Sequence, residues 1–242
     1  MSIFRDENIV KNTTRNIRIL FFITLALSIL VVLLSWLFHV YSGRSRIFLP
    51  FISETNNDYI EGIISKAGFT LVGISLPIIG LHIFKSKKFE IGKSKLGRNH
   101  ILMNKTAYLV CIFQAICIIC VSYFTWSKYP ITHAIFANFV FTGGLIWTLL
   151  YHKLNTDIDS NLGIKRSNHN IRSNLFIVWF VGIGLMIVGF LPVLIHDPNL
   201  LNTLEFDNYR TEMLVAAIGE WIIFFASIGV IFTFYEDITD LE

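Results

Sequence analysis

Long apolar runs separated by short polar segments dominate the sequence. A helix needs about 20 predominantly apolar residues to cross the roughly 30 Å hydrocarbon core of a bilayer, and six runs reach that length. A soluble amphipathic helix would keep a polar face, which these runs lack. The pattern predicts an all-α membrane protein, in which residues 1–242 form a single domain, a six-helix transmembrane bundle. The predicted spans lie at about 19–41, 62–84, 105–124, 131–151, 173–195 and 211–235.

Basic residues between the spans are distributed unevenly on the two sides of the predicted bundle. The N-terminal segment and the loops after spans two and four carry 15 of the 20 Lys and Arg residues, whereas the opposite side carries four. Short loops rich in Lys and Arg tend to stay in the cytosol. The distribution therefore predicts that the N-terminus and the C-terminus both face the cytosol.

Composition and cysteine placement argue against several other classes of protein. The chain is 54% hydrophobic and only 15% charged, which leaves too few charges to cover a soluble surface. A net charge of +3, without a basic and aromatic-rich motif, argues against nucleic acid as a partner. Cys111, Cys117 and Cys120 share one apolar run, so neither a disulfide framework nor a zinc site is predicted. Walker and His-Glu-x-x-His motifs are also missing from the sequence, and we expect no cofactor and no metal.

Three polar residues lie deep inside predicted spans. At 1.5 Å rise per residue, Gln114, Asn138 and Glu220 lie about 10–15 Å below the predicted luminal surface, in one layer. Hydrogen bonds between helices are one role for Gln114 and Asn138, since such bonds help a bundle to assemble. Glu220 is too deep to reach the surface easily, so we expect it to be protonated or hydrogen-bonded inside the bundle. A structural role and a role in a lipid-headgroup or proton site are both open for it.

A second set of polar residues is predicted at the luminal face, where Pro50 ends span one and His133 opens span four. Ser53, His133 and Glu61 would form a hydrolase-like triad if they met, but Ser53 lacks the Gly-x-Ser-x-Gly pattern of a nucleophile elbow. We therefore predict no catalytic residues. The predicted site binds a lipid or a protein partner, and its candidate residues are Ser53, Glu54, Glu61, His133, Asn138 and Glu220.

Three motifs follow one another along the chain. The first is Leu49-Pro50-Phe51-Ile52-Ser53-Glu54-Thr55, with Glu61 at the start of the second span. The second is His133-x-x-x-Ala137-x-x-x-Phe141-x-x-Gly144-x-x-Trp147, and the third is Glu220-Trp221 followed by Thr233-Phe234-Tyr235-Glu236-Asp237. Together they resemble the damage-regulated autophagy modulator (DRAM) family. The broader superfamily includes GPI-lipid remodelling proteins and plasma-membrane phosphoinositide regulators.

The resemblance implies a multi-pass protein of the lysosome or another endomembrane, with the plasma membrane as the alternative location. It implies modulation of autophagy, or of lysosomal or plasma-membrane lipid state, without a conventional catalytic site. The implied partners are membrane lipids and an unidentified membrane or cytosolic protein. The chain departs from the family pattern at Glu54, where aspartate is expected, and after the last span, where acidic residues replace basic ones.

Two other functions stay open at this point. The first is a GPI-anchor lipid-remodelling factor of the secretory pathway, although Tyr59-Ile60-Glu61-Gly62 lacks the arginine expected there. The second is a channel or transporter. A water-filled cavity lined by Gln114, Asn138 and Glu220 would favour the second function.

Overall fold

Six long α-helices make up most of the described chain. The computed structural model describes residues 7–43, 49–55, 59–164, 168–197 and 206–238, and the side chains of all these except 7–11, 206 and 207. The helices are α1 (Glu7–Tyr41), α2 (Ile60–Lys93), α3 (Arg98–Tyr123), α4 (Pro130–Leu162), α5 (His169–His196) and α6 (Arg210–Phe232). Short 3₁₀ turns cover Ser53–Thr55, Phe206–Tyr209 and Thr233–Asp237. All six helices are long and apolar enough to cross a membrane, which confirms the predicted all-α membrane fold.

Helices α2 and α4 continue well beyond the apolar spans predicted for them. α2 ends at Lys93 and not near residue 84, and α4 ends at Leu162 and not near residue 151. A polar turn outside the hydrocarbon still satisfies its backbone hydrogen bonds as a helix, so composition marks the membrane boundary and not the end of the helix. Gly163, with a left-handed φ of +65°, ends α4, and its N–H donates to the Asp159 carbonyl oxygen.

The helices pack in two groups. α1, α2, α3 and α4 pack in sequence order, each on the next, while α5 and α6 form a closely packed pair that also contacts α4. Gly182 on α5 and Gly219 on α6 let these two backbones touch, because a Cβ on Gly219 would lie 2.7 Å from the Gly182 carbonyl oxygen. Between α1 and α6, aromatic side chains fill the gap. Trp36 and Trp221 meet there edge to face, with 6.3 Å between ring centroids.

The start of α1 and the end of α6 lie at the same end of the bundle. The Arg18 guanidinium donates to the Ile238 carbonyl oxygen at 2.8 Å, and Asp237 beside it is completely buried. We call this part of the molecule the Asp237 end, and the charge distribution predicts that it faces the cytosol. The opposite part contains residues 49–55 and Glu220, and we call it the Glu220 end.

Candidate functional site

A central cavity of about 140 Å³ lies between the helices, and side chains from all six of them line it. Along α6 its wall runs from Glu220 to Ile231, a distance of about 17 Å at 1.5 Å per residue, and Phe234 of the following 3₁₀ turn extends it further. Most of the wall is apolar, and the polar exceptions are Thr24, Ser28, Ser53, Gln114, His133, Glu220 and Ser227. The hydroxyls of Thr24, Ser28 and Ser227 each donate to a carbonyl three or four residues earlier in their own helix. These three residues therefore add little polarity to the wall.

Residues 49–55, which we call the re-entrant segment, turn back into the bundle after α1 and border one end of the cavity. Glu220 holds them there, at a point about 15 Å along α6 from its first residue. Its carboxyl group accepts the Ile52 N–H at 2.7 Å, and Ser53 adds its backbone N–H and its hydroxyl. Non-helical backbone at membrane depth is tolerated only where protein or a cavity surrounds it. The side chain of Glu220 supplies acceptors that this backbone needs.

Two further hydrogen bonds fix the shape of the re-entrant segment. Trp221, the residue after Glu220, donates its indole N–H to the Pro50 carbonyl oxygen at 2.9 Å. Within the segment, Glu54 accepts the Phe51 N–H at 3.1 Å. Adjacent residues of α6 therefore hold adjacent parts of the segment, which explains why Glu220 is buried in the bundle interior, as predicted.

His133, near the start of α4, is a cavity-lining residue with one ring nitrogen that has no partner among the described residues. The side chain is 2% exposed and lines the cavity. Its Nδ1 lies 2.6 Å from the Phe124 carbonyl oxygen, so Nδ1 carries the hydrogen and donates it. Nε2 has no hydrogen-bond partner among the described residues, and in the neutral imidazole of this tautomer it is an acceptor.

Gln114 lines the cavity, and both the nitrogen and the oxygen of its amide are hydrogen-bonded within the protein. Its side-chain nitrogen donates to the Val140 carbonyl oxygen at 2.9 Å, and its oxygen accepts the Trp147 indole N–H at 2.6 Å. Gly144 makes room for this arrangement, because a Cβ there would lie 2.6 Å from the Gln114 nitrogen. Gln114 therefore joins α3 to α4, as the interhelical alternative predicted.

Glu61, another candidate from the sequence, lies buried between α1 and α2 and is not among the cavity-lining residues. Its Oε1 lies 3.6 Å from Nδ1 of His39, and its backbone carbonyl accepts the Ser35 hydroxyl at 3.2 Å. Glu61 therefore faces His39, whereas Nδ1 of His133 faces a backbone carbonyl. The hydrolase-like triad of Ser53, His133 and Glu61 is not assembled.

Asn138 does not join Gln114 and Glu220 in the bundle interior, and the predicted common depth of the three residues did not specify which face of its helix each one occupies. Its side chain is exposed on the outer face of α4, while Ala137 and Phe141 of the same helix line the cavity. The rise of 1.5 Å per residue determines the depth of a residue along a helix, but each residue also turns the helix by about 100°. Depth alone therefore does not indicate which face Asn138 occupies.

A buried ionic cluster at the Asp237 end was not predicted from the sequence. The Asp237 carboxylate accepts the Lys87 ammonium at 2.7 Å, the Asn155 amide at 3.0 Å and the Arg172 guanidinium at 3.2 Å. Arg172 also donates to the Thr233 hydroxyl at 2.8 Å. Lys87 and Asp237 are completely buried, so this cluster ties α2, α4 and α5 to the end of α6.

The sequence offered little to reveal this cluster. Lys87 and Arg172 stand in the sequence as two of many basic residues that set orientation, and Asp237 as part of an acidic end. Lys87 lies 150 residues from Asp237 and Arg172 lies 65 residues from it, so no local spacing connects them. The one signal is position, since each of the three residues lies at the edge of an apolar run.

Comparison with known proteins supports the resemblance of the three motifs. The family model described as the Frag1/DRAM/Sfk1/Cwh43P N-terminal domain matches residues 16–241, nearly the whole chain. No curated protein and no solved structure gives a significant match. The expectation of a DRAM-type protein within this superfamily is confirmed, and the chain belongs to the Frag1/DRAM/Sfk1/Cwh43P family.

Proposed function

We propose that this protein holds part of a membrane lipid in its central cavity and thereby modulates lysosomal or other endomembrane lipid state, or autophagy. A conventional catalytic site is not part of this proposal. The observation that carries it is the long apolar cavity at the centre of the bundle, bordered at one end by the polar groups of Ser53, His133 and Glu220. Such a cavity matches the chemistry of a lipid, which has a long apolar chain and a polar end.

The size of the cavity supports one acyl-chain segment as the occupant. Its volume of about 140 Å³ is close to that of an engineered apolar protein cavity, roughly 150 Å³, that stays dry and binds benzene. This cavity is longer than benzene, since its wall follows α6 for about 17 Å. A single flexible chain suits that shape, and a whole two-chain lipid does not.

The lining argues against the channel or transporter alternative. The wall is mostly apolar, and no Lys or Arg lies among the described residues that line it. A conducting path needs polar or charged groups along its length to replace the water around an ion. Asn138, one of the three residues on which the channel alternative rested, lies outside the cavity.

The hydrogen bonds at the polar end argue against a serine hydrolase. A Ser–His pair requires the serine hydroxyl to donate to the histidine ring. The Ser53 hydroxyl instead donates to Glu220, and the assigned hydrogen of His133 goes to the Phe124 carbonyl oxygen. Binding without bond cleavage is the function that these contacts support.

The test of this proposal places a bulky side chain in the cavity and measures crosslinking of a lipid to the cavity wall. Ser28 lines the cavity on α1, and its hydroxyl bonds only within its own helix, so Ser28→Phe places a ring in the cavity without breaking a contact between helices. Ala26 on the same helix is exposed on the outer face, and Ala26→Phe adds a ring there as the control. The purified proteins are placed in nanodiscs that contain phosphatidylcholine with a photoreactive diazirine at the end of one acyl chain.

We expect crosslinks to peptides of the cavity wall in the wild type and in Ala26→Phe, and at least about tenfold fewer in Ser28→Phe. Equal crosslinking of the cavity wall in all three proteins would reject the proposal. Autophagic flux and organelle lipid composition in cells that express the same variants then test the consequence. Residence of a tagged copy in the endoplasmic reticulum or Golgi, with a defect in GPI-anchor lipids, would favour the remodelling alternative instead.

A further inference from the structure

At the polar end of the cavity, His133 contributes a buried acceptor that no described residue uses. His133 Nε2 lies in a 2% exposed side chain that lines the cavity, and it has no hydrogen-bond partner among the described residues. The hydrogen bond from Nδ1 to the Phe124 carbonyl oxygen fixes the tautomer, so the free nitrogen can receive a hydrogen but cannot offer one. A buried polar atom without a partner is costly, and a ligand that supplies an O–H or N–H group removes that cost.

The charges around the same end limit the ligand further. Glu220 is part of the cavity wall, and Glu54 lies in the re-entrant segment beside it. No Lys or Arg from the described part of the chain lines the cavity, so a negatively charged headgroup would meet carboxyl groups and no cation. Glu220 already accepts the Ile52 N–H and the donors of Ser53, which leaves it less able to hold an ammonium group.

The cavity wall itself gives no preference for one apolar chain over another. Bilayer hydrocarbon is as apolar as the side chains of a membrane protein, so a chain that moves from the bilayer into the cavity gains no hydrophobic energy. Preference for a particular lipid must therefore come from shape and from the contacts of its polar end.

We infer that the occupant of the cavity is an uncharged lipid whose polar end carries a hydroxyl or amide hydrogen, and that His133 Nε2 accepts this hydrogen. This inference rests on the proposed function, because it names the class of lipid that the cavity prefers. His133 positions the polar end, and the apolar wall accommodates the chain.

The test uses three photoreactive probes with the same chain and different ends, namely a long-chain alcohol, a fatty acid and an alkylamine. Each is added to the protein in nanodiscs, and crosslinks to the cavity wall are counted. We expect the alcohol to label the wild type roughly tenfold more than either charged probe, which corresponds to one satisfied buried hydrogen bond.

His133→Asn is the matched variant, because its amide nitrogen keeps a donor for the Phe124 carbonyl oxygen, while the shorter side chain has no atom at the position of Nε2. We expect it to lose the preference for the alcohol. His152→Asn is the control, since His152 lies on the same helix but does not line the cavity, and it should keep the preference. If His133→Asn fails to fold, the comparison of the three probes on the wild-type protein still tests the inference.

The outcomes separate this inference from the proposed function. If all three probes label the wild type equally and Ser28→Phe still blocks the labelling, the lipid-binding function is kept and the role of His133 is rejected. Preference for the fatty acid or the alkylamine would also reject it. Labelling that Ser28→Phe does not reduce for any probe would reject the lipid-binding function itself.

Discussion

Glu220 and Asp237 are two buried acidic residues on neighbouring stretches of chain, α6 and the 3₁₀ turn that follows it, and their surroundings differ. Asp237 faces two cations, Lys87 and Arg172, each within 3.2 Å of a carboxylate oxygen. Glu220 accepts hydrogens from the uncharged backbone and hydroxyl of the re-entrant segment. One carboxyl group therefore balances charge, and the other satisfies non-helical backbone.

The space around the two residues differs in the same way. At the Asp237 end, Arg172 also packs over the Phe234 ring, with 3.9 Å from the guanidinium carbon to the ring centroid, and the cluster joins four helices. At the Glu220 end, the cavity begins beside the carboxyl group, and His133 Nε2 has no hydrogen-bond partner in the described part of the chain. The buried charge of Asp237, which has charged partners, stabilises the fold. The buried polar atom of His133, beside an apolar cavity, indicates a binding site.

The largest effect is expected from Asp237→Ala. Removal of this carboxylate takes away the acidic group that Lys87 and Arg172 share, although Lys87 keeps a second one, Glu90 at 3.0 Å. Loss of one member of a buried ion pair typically costs about 3–5 kcal/mol. We expect the free energy of unfolding, measured by titration of the purified protein with sodium dodecyl sulfate, to fall by about that amount. Abundance of the variant in cells should fall as well.

Asp157→Ala is the control for Asp237→Ala. Asp157 accepts the Lys153 ammonium at 2.6 Å and lies 3.2 Å from His100 Nε2. Both contacts are partly exposed, with the Lys153 side chain 66% exposed, and exposed pairs contribute about 0–1 kcal/mol. Similar losses of unfolding free energy in the two variants would show that burial of the Asp237 cluster is not what makes it important.

These two acidic residues also show how far the sequence could predict the structure. The six helices were predictable because hydrocarbon imposes a minimum length on every apolar run. Burial of Glu220 was predictable from its depth alone, since a carboxyl group in lipid has no solvation. The hydrogen-bond partner of Glu220 was not predictable, because residues 49–55 have the sequence of an ordinary loop. Their return into the bundle depends on contacts between residues far apart in the chain, such as Ile52 and Glu220, which are separated by 168 positions.

The same limit applies to Asn138 and to the Asp237 cluster. Asn138 lies on the outer face of α4, which its depth could not indicate, because the rotation of a helix depends on how its neighbours pack. The sequence around Lys87 and Arg172 is that of basic residues that set membrane orientation, and the sequence around Asp237 is that of a polar tail. No local feature indicates that the three residues form a buried cluster. The sequence therefore predicts where the membrane-spanning helices lie along the chain, but not which distant residues contact each other.

A smaller effect is expected from changes at Glu220. Glu220→Leu removes the acceptors of the Ile52 and Ser53 hydrogens, and buried donors left unsatisfied cost about 1–3 kcal/mol. Glu220→Gln keeps one acceptor and nearly the same shape, so we expect a loss of less than about 1 kcal/mol and normal delivery to the membrane. The measurements are the free energy of unfolding in detergent, the abundance in the membrane and autophagic flux for both variants.

The two variants at Glu220 separate a structural role from a chemical one. If Glu220→Gln keeps autophagic flux and only Glu220→Leu loses it, Glu220 acts by holding the re-entrant segment. Loss of flux in Glu220→Gln at normal abundance would instead mean that function requires the charge or the proton. A stable and fully active Glu220→Leu variant would contradict both roles and the comparison with Asp237.

The smallest effect is expected from a pair of tryptophan substitutions that tests the difference between used and unused polar atoms. Trp221 donates its indole N–H to the Pro50 carbonyl oxygen at 2.9 Å, whereas the indole nitrogen of Trp179 has no hydrogen-bond partner among the described residues. Both side chains are less than one-tenth exposed, so Trp→Phe removes a similar volume at each position. Only Trp221→Phe also breaks a hydrogen bond and leaves the Pro50 carbonyl without its donor.

We expect Trp221→Phe to lower the free energy of unfolding by about 1 kcal/mol more than Trp179→Phe, in the same detergent titration. An equal loss at the two positions would mean that the Trp221 hydrogen bond does not stabilise the re-entrant segment, and the polar end of the cavity would then depend on Glu220 alone.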